Sequence, residues 1–511
     1  MGNANLYALL QSGFNADRQS TAIQTPARNY SWRDIDETSA RYANLLAGLK
    51  LPAGARVAVQ VEKSPEALML YLATLRAGLV YLPLNVAYRE TEIAYFLEDA
   101  EPALVVCSPA NLEWIRPLAA GAQVLTLDED GGGSLSRAAA GLAADFDTVQ
   151  SAPDDLAAIL YTSGTTGRSK GAMLSHANLA SNARVLNDYW GWRGDDVLLH
   201  MLPIFHVHGL FVGAHGALLA GARMIWLPRF DAGQALRYLP ESTVMMGVPT
   251  YYVRLLSDAR FTRETCAGMR LFISGSAPLL ADTFNEFRQR TGHTILERYG
   301  MSETVMLTSN PYDESQGPRV AGTVGRPLPG VQARVVDDAG QACGPGQIGN
   351  VQVRGPNVFS GYWRMPEKTR EEFTADGWFR TGDVGRWGPP PDGAAPIPDD
   401  YLSIVGRSKD LIISGGFNVY PKEIESVIDD MPGVAESAVI GVPHPDFGEA
   451  VVAVIVPRPG VPIDVPSIQA TLKARIANFK VPKRIHVVDQ LPRNTMGKVQ
   501  KNVLREAYRQ L

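Results

Sequence analysis

"YTSGTTGRSK", residues 161–170, sets seven Ser, Thr and Gly residues around two cations. The run before it, "LAAIL" (156–160), is continuously apolar, as a buried strand is, and "GAMLSHANLASNA" (171–183) after it has helical periodicity. A strand, a hydroxyl-rich glycine loop ending in Lys170 and then a helix suit a polyphosphate. Glycines let the backbone approach oxygens, hydroxyls and amides donate to them, and the lysine neutralises charge. The spacing is not that of a Walker loop, because Gly167 lies three residues before Lys170 and Gly171 follows it. The stretch reads as a phosphate clamp of another kind, set in an α/β chain.

Outward from this loop the same alternation recurs. Upstream, strand-like "RVAVQV", "ALVVCS" and "QVLTL" alternate with helical runs such as "SPEALMLYLATLRAG". Downstream come "DVLLHMLP", "ARMIWLP", "VMMGVPT" and "RLFISGS", which again argue a largely parallel sheet. From about 320 to 406 short strands and frequent turns predict a small β-rich unit, and "GPPPDGAAPIP" (388–398) a surface loop. After "GRSKD" a compact α/β piece begins again, with a helix at "PKEIESVIDD". The expected fold class is α/β. A large N-terminal domain (1–408) would hold two doubly wound subdomains plus a β-barrel-like unit, and a small mobile α+β domain (409–511) would follow.

The composition is that of an ordinary soluble protein. The chain has 511 residues, 45% hydrophobic and 20% charged, with a net charge of −5. That balance speaks against nucleic acid or an anionic membrane as partner. Cys107, Cys266 and Cys343 have neither metal-site nor disulfide spacing, which fits a reducing compartment. With no apolar run of about 18 residues and no charged leader, a cytoplasmic location is expected.

Four further stretches carry chemistry. "RYGMSE" (298–303) ends in Glu303, a hard carboxylate suited to magnesium. "RTGD" (380–383) sets Asp383 after a turn, where it could accept ribose hydroxyls. "GRSKDLIISGGFNVYP" (406–421) joins the domains, and "PRNTMGKVQK" (492–501) presents Lys498 beside Gly497. Taken singly, Asp383 equally suits a turn cap and Glu303 a solvated helix face.

Together, "YTSGTTGRSKG", "YGMSE", "WFRTGD", "GRSKDLIISGG" and "NTMGK" resemble the AMP-forming adenylate family of acyl-CoA synthetases, peptide-synthetase adenylation domains and firefly-type luciferases, nearly end to end. The resemblance implies that Thr162, Ser163, Gly164, Thr165, Thr166, Gly167 and Lys170 hold the phosphates of ATP. Tyr299 would stack on adenine beside Gly275, Ser276 and Ala277, with Gly300, Met301 and Ser302 adjoining. Glu303 and Thr165 would hold Mg²⁺, and Asp383 and Arg407 the ribose. Lys498 would bridge carboxylate and α-phosphate, with Lys409 as the hinge. Gly415, Gly416 and Phe417 would meet coenzyme A. Ser169 and Ser302 replace the family's usual proline and threonine, and neither change removes a needed charge.

The acid is read from Arg298, the residue before Tyr-Gly. A buried guanidinium is costly unless paired, and a second carboxylate on the substrate would pair it. Arg254, His206 and His208 of "FHVHG", Ser274 and Ser276 would add donors. The alternatives are that Arg298 pairs with Glu297 or another protein carboxylate, that Arg254 lies on a solvated helix face, and that His206 fills the pocket wall. "ERYGM", "NPYD", "GPNVFSGYWRMPEKT" and "GGFNVYPKEIE" resemble the malonyl-CoA synthetases within the family. The small-molecule substrates implied are malonate, ATP and coenzyme A. A synthetase for another short acid, a carrier-protein-loading enzyme, and a non-catalytic nucleotide binder or luciferase-like oxygenase are the competing readings. Retention of Lys498 and Glu303 speaks against a dead enzyme.

Overall fold

The computed structural model describes residues 2–162, 169–390, 397–414, 417–444, 448–476, 478–494 and 497–509. The continuous Val, Ile and Leu runs become strands buried on both faces, as parallel pairing under helices demands. One sheet runs in the order Gly361–Tyr362, Lys170–Ser175, Leu156–Thr162, Val80–Pro83, Arg56–Gln60, Leu104–Cys107, Gln123–Thr126. Its pairs from Leu156–Thr162 onward are parallel, and the first two strands add antiparallel.

A nine-stranded sheet lies beside it. Within this sheet Val197–His200 is flanked by Arg223–Trp226 on one side and Val244–Gly247 on the other, both parallel. The chain order reverses there, so the loops after these strands bound a crevice at a topological switch point. Leu271–Ser274 and Ile295–Met301 continue the parallel part on that second side.

Between the sheets runs the helix Pro65–Arg76. Ser64 caps it by accepting from the Ala67 amide at 3.1 Å, and Pro65 takes the first position. Every residue of this helix is buried, in a core that draws on both sheets. A helix apolar on all sides belongs in such an interior.

One local expectation is corrected. "GAMLS" is not helical; Lys170–Ser175 is an antiparallel strand that sets Thr162 opposite Lys170. The helix begins only at His176, where Ser175 and Asn178 form a reciprocal cap. The helical period of the stretch came from its second half alone.

The β-rich unit is the antiparallel sheet Gln332–Val336, Gly349–Arg354, Phe379–Trp387, Leu402–Arg407. The centre of the proline-rich loop, 391–396, lies outside the described residues. From Ile412 onward a five-stranded sheet and the helices Pro421–Asp429 and Val465–Arg475 enclose two core clusters of their own. Among the described residues no helix is long and apolar enough to cross a membrane.

Candidate active site

The strand Ile295–Met301 organises the site. Its first half pairs in parallel, Ser274 opposite Glu297, and from Arg298 on it pairs antiparallel with Val305–Ser309. Consecutive strand residues face opposite ways. Glu297 therefore points away from Arg298 and accepts the Gly322 amide at 3.2 Å, with burial pushing its carboxyl up to about 8. It does not neutralise Arg298.

Arg298 is only 4% exposed. Its guanidinium lies against the Gly275 backbone, where an added Cβ would stand 2.4 Å from Cζ. Among the described residues no carboxylate pairs with it, and its Nε and Nη2 have no hydrogen-bond partner. Ser274 Oγ and His208 Nε2 are also buried without partners, while His208 Nδ1 lies 3.3 Å from Ser276 Oγ. Burial holds His208 well below the usual imidazole range and pushes His206 down to about 3, so both rings are neutral at pH 7. Burial also lowers Arg298 to about 9, which keeps it charged at pH 7. A buried cation with unmet donors on neutral rings and hydroxyls is a receptor for an anion.

The loop bearing these histidines is held from below. A π-helical turn runs His208–Ala214, and Gly209 is obligatory there because a Cβ would meet Pro203 O at 2.1 Å. The Gly209 carbonyl lies 2.9 Å from His200 Nε2. On the far side of that ring, Lys63 Nζ lies 2.8 Å from His200 Nδ1 and donates to the His200 and Leu227 carbonyls at 2.8 and 2.7 Å. Lys63 follows Arg56–Gln60 of the other sheet, so it ties the two sheets together beneath the crevice. Lys63→Met should therefore cost roughly 2–4 kcal/mol, because two buried carbonyls lose their donor. Urea unfolding reads this directly, and a change below about 0.5 kcal/mol, the level of an ordinary surface substitution, would sink the account.

On the opposite wall, Tyr299 donates to Asp383 Oδ2 at 2.5 Å, and Arg407 Nε lies 3.2 Å from Asp383 Oδ1. Asp383 and Arg407 are direct partners across an antiparallel pair, and Asp383 is buried. Gly300 follows a bulge and has its Cα against Val305, where a Cβ would lie 1.9 Å from the carbonyl oxygen. Glu303, 5% exposed and so not on a solvated face, accepts from Tyr362 Oη at 3.0 Å. Burial raises its pKa, against the pull of Lys170 and Arg407. Lys170 Nζ stands 4.3 Å over the Tyr362 ring and 3.3 Å from Glu372 Oε1.

Lys498 arrives from the small domain, half-buried, facing Arg407, Asp383, Arg298 and Glu303, and burial with Arg407 pushes it down to about 8. Its neighbour Gly497 comes close to Thr250 of the large domain. Among the described residues no cluster of three or more His, Cys, Asp or Glu could hold a metal. One buried carboxylate still fits magnesium, which takes one or two protein oxygens and completes its shell with water and phosphate.

The remaining sequence candidates divide. Thr162 Oγ1 contacts Lys170 O at 3.4 Å, and Ala277, Met301 and Ser302 are half-buried near the strand ends. Ser163, Gly164, Thr165, Thr166 and Gly167 lie outside the described residues, as do Gly415, Gly416 and the Phe417 side chain. Arg254 is exposed at the end of the helix Pro249–Leu256, lining a surface cavity with Phe230 and Asp258. The solvated helix face is the correct reading for it, because the helix turns Tyr252 and Leu255 to the core instead. Lys409 sits in a 3₁₀ turn whose Ser408 Oγ donates to Gly382 O at 2.8 Å and whose Asp410 accepts from Arg505 at 2.7 Å. Tyr362 and Glu372 were not singled out from sequence; Tyr362 lies within "GPNVFSGYWRMPEKT" of the resemblance, while Glu372 falls three residues past its end.

A buried guanidinium, unpaired among the described residues, and the Tyr299–Asp383–Arg407 cluster under one lysine from a second domain fit an adenylate-forming enzyme. The chain belongs to the AMP-binding enzyme family, which matches residues 11–363, with the AMP-binding enzyme C-terminal domain at 423–498. It is 33% identical to the malonate–CoA ligase of Arabidopsis thaliana, over 95% of this chain and 86% of the relative. It is 57% identical to ATP-bound MatB from Rhodopseudomonas palustris, with a TM-score of 0.94 over 99% of both chains. Against apo MatB from the same organism the identity is 56% and the TM-score 0.84, again over 99% of each.

Proposed function

We propose that this protein is an ATP-dependent malonate–CoA ligase, making malonyl-CoA, AMP and diphosphate through a malonyl-adenylate. The observation that carries the reading is Arg298, a buried guanidinium that has no carboxylate beside it and two nitrogens unpartnered among the described residues. A dicarboxylate supplies what is missing. One carboxylate pairs with Arg298, with His208 and Ser274 as neutral donors, while the other stays free to react. The relatives named for malonate support the same acid.

In this reading, Lys498 brings the free carboxylate and the α-phosphate together by neutralising both. The carboxylate oxygen attacks phosphorus and diphosphate leaves. The thiol of coenzyme A then attacks the acyl carbon, AMP departs and the thiol proton is lost to solvent. Asp383 accepts the ribose hydroxyls, with Arg407 holding its carboxylate in place, and Tyr299 offers its ring to adenine beside Gly275 and Ala277. Lys170 leaves Glu372 for the phosphates. Mg²⁺, held by Glu303 and Thr165, would draw charge from the phosphate oxygens. The remaining phosphate-loop residues, 163–167, and the coenzyme A contacts at 415–417 stay as the resemblance implies.

The better superposition on an ATP-bound relative than on an apo one supports reading this domain arrangement as the adenylating one. We place the domain division at 408/409, with Lys409 as pivot, on the separate ties of Ser408 and Asp410. We also propose a reducing compartment such as the cytoplasm, since none of the three cysteines is paired.

The test is AMP release with ATP and a panel of acids, with and without coenzyme A. Malonate should lead, with methylmalonate next, and release should depend on coenzyme A. Preference for an amino acid, or full turnover without coenzyme A, would overturn the assignment. The pH dependence follows from Lys498. It must be protonated to bridge two anions, and its pKa in the free enzyme is about 8. The kcat/KM for adenylation should therefore fall as pH rises through 8, with loss of the Arg298 charge near 9 deepening the fall. A flat profile from pH 7 to 9.5 would remove Lys498 from this role.

A further inference from the structure

The turn that presents Lys498 is tight. Arg493 and Val499 form an antiparallel bridge, the Asn494 amide donates to Lys498 O at 2.9 Å, and the Lys498 amide donates to Asn494 Oδ1 at 2.9 Å. Gly497 stands at φ +74°, a left-handed conformation natural to glycine. The arms of the turn are fixed in the small domain, where Leu491 and Leu504 are buried in a cluster with Ala438 and Ile440.

Gly497 has one further tie. Arg493 Nη1 donates to the Gly497 carbonyl at 2.5 Å, and that carbonyl belongs to the peptide bond leading into Lys498. The other Arg493 nitrogen, Nη2, pairs with Glu436 on the strand Val434–His444. The guanidinium thus joins the sheet of the small domain to the peptide that aims the lysine. Behind it, Lys501 pairs with the buried Glu425 at 2.5 Å and secures the exit of the turn.

We propose that Arg493 is a positioning residue for adenylation: by bridging Glu436 and the Gly497 carbonyl, it sets the direction in which Lys498 enters the cleft. The planar fork of arginine suits two acceptors at a fixed angle. The inference rests on Lys498 being the adenylating lysine. It concerns one half-reaction only, because coenzyme A attack on a finished adenylate does not need the bridge between carboxylate and phosphate.

The experiment compares Arg493→Met, Arg493→Lys, Glu436→Gln and Lys498→Ala in the full chain. Two rates are read: malonate-dependent diphosphate release without coenzyme A, and malonyl-CoA formation from supplied malonyl-AMP. Arg493→Met should slow the first about 30- to 100-fold, within the range for losing an oriented charge, and leave the second within about twofold. Arg493→Lys should restore part of the loss, since an ammonium can still reach one acceptor. The pH profile separates misdirection from general damage. Lys498 is held low by burial and Arg407, with Arg298 acting the same way and Asp383 and Glu303 opposing them, while His206 is neutral. A lysine that strays toward solvent regains a higher pKa. The alkaline limb of Arg493→Met should therefore move upward from about 8.

Equal slowing of both half-reactions, or an unmoved alkaline limb, overturns the proposal. Should Arg493→Met not fold, Glu436→Gln carries the same test with a smaller loss confined to diphosphate release. If Lys498→Ala leaves diphosphate release intact, the reading of Lys498 fails and this inference with it. If Lys498→Ala abolishes release while Arg493→Met changes neither rate nor limb, only the inference about Arg493 fails.

Discussion

Lys498→Ala should lose adenylation by a factor of several hundred or more, while conversion of supplied malonyl-AMP to malonyl-CoA falls far less. On the proposed reading two anions must meet in the first half-reaction, and the lysine faces Arg298 on one side and Asp383 with Arg407 on the other. Removing one preorganised donor aimed at developing charge costs roughly 3–4 kcal/mol. In the second half-reaction the anhydride already exists, and a thiol brings no phosphate that needs neutralising. Rapid-quench measurement of each half-reaction separates the two. Equal losses in both would mean that Lys498 supports the cleft as a whole rather than the meeting of the anions.

Arg298→Ala should cost malonate two to four decades in kcat/KM. Malonate sets two carboxylates one methylene apart, and only one can react. On the proposed reading the other meets a guanidinium that is 4% exposed and neighbouring imidazoles that are uncharged. Leaving a buried anion without its partner costs about 3–5 kcal/mol, read as a change in transition-state stabilisation. Propionate, which has a methyl group where malonate has that carboxylate, never drew on the charge and should lose much less. The ratio of malonate to propionate activity is therefore the quantity to follow, because it cancels damage to the fold or to the ATP site. A proportional loss of both acids would show that Arg298 supports structure and that the dicarboxylate reading is wrong.

Much of this was legible in the sequence, and for identifiable reasons. The parallel strands are short continuous apolar runs, so "VMMG" and "LFIS" declare buried strands without help from partners. The helix Pro65–Arg76 announces itself by Ser64 and Pro65. Glu303 and Lys498 were candidates because a hard carboxylate or a lysine beside glycine suits phosphate chemistry, and Asp383 because a carboxylate after a turn suits ribose hydroxyls. What stayed hidden depends on which way a residue faces. "GAMLS" is as compatible with a strand as with a helix over so few residues, and only pairing with Leu156–Thr162 decides it. Arg254 and Arg298 are alike as letters. One falls on the outer face of a helix, while the other follows Glu297 on a strand whose alternation turns it into the pocket. Tyr362 and Glu372 reach Glu303 and Lys170 from far along the chain, a closeness no spacing rule reports.

The ties on either side of Lys409 bear on the fate of the intermediate. Ser408 is fastened to Gly382 and Asp410 to Arg505, so a turn of the small domain about Lys409 would be absorbed by the torsions of that single residue. Neither body need deform. On the proposed reading an acyl-adenylate held by Arg298, Tyr299, Asp383 and Arg407 would stay where it was made while the lid above it changed faces, one offering a lysine and the other a thiol. The enzyme would then behave as a two-station machine with a stationary workpiece. A reactive anhydride that never leaves its seat has little opportunity to meet water, and hydrolysis of malonyl-AMP would rise in variants that loosen the pivot even when both chemical steps run at normal speed.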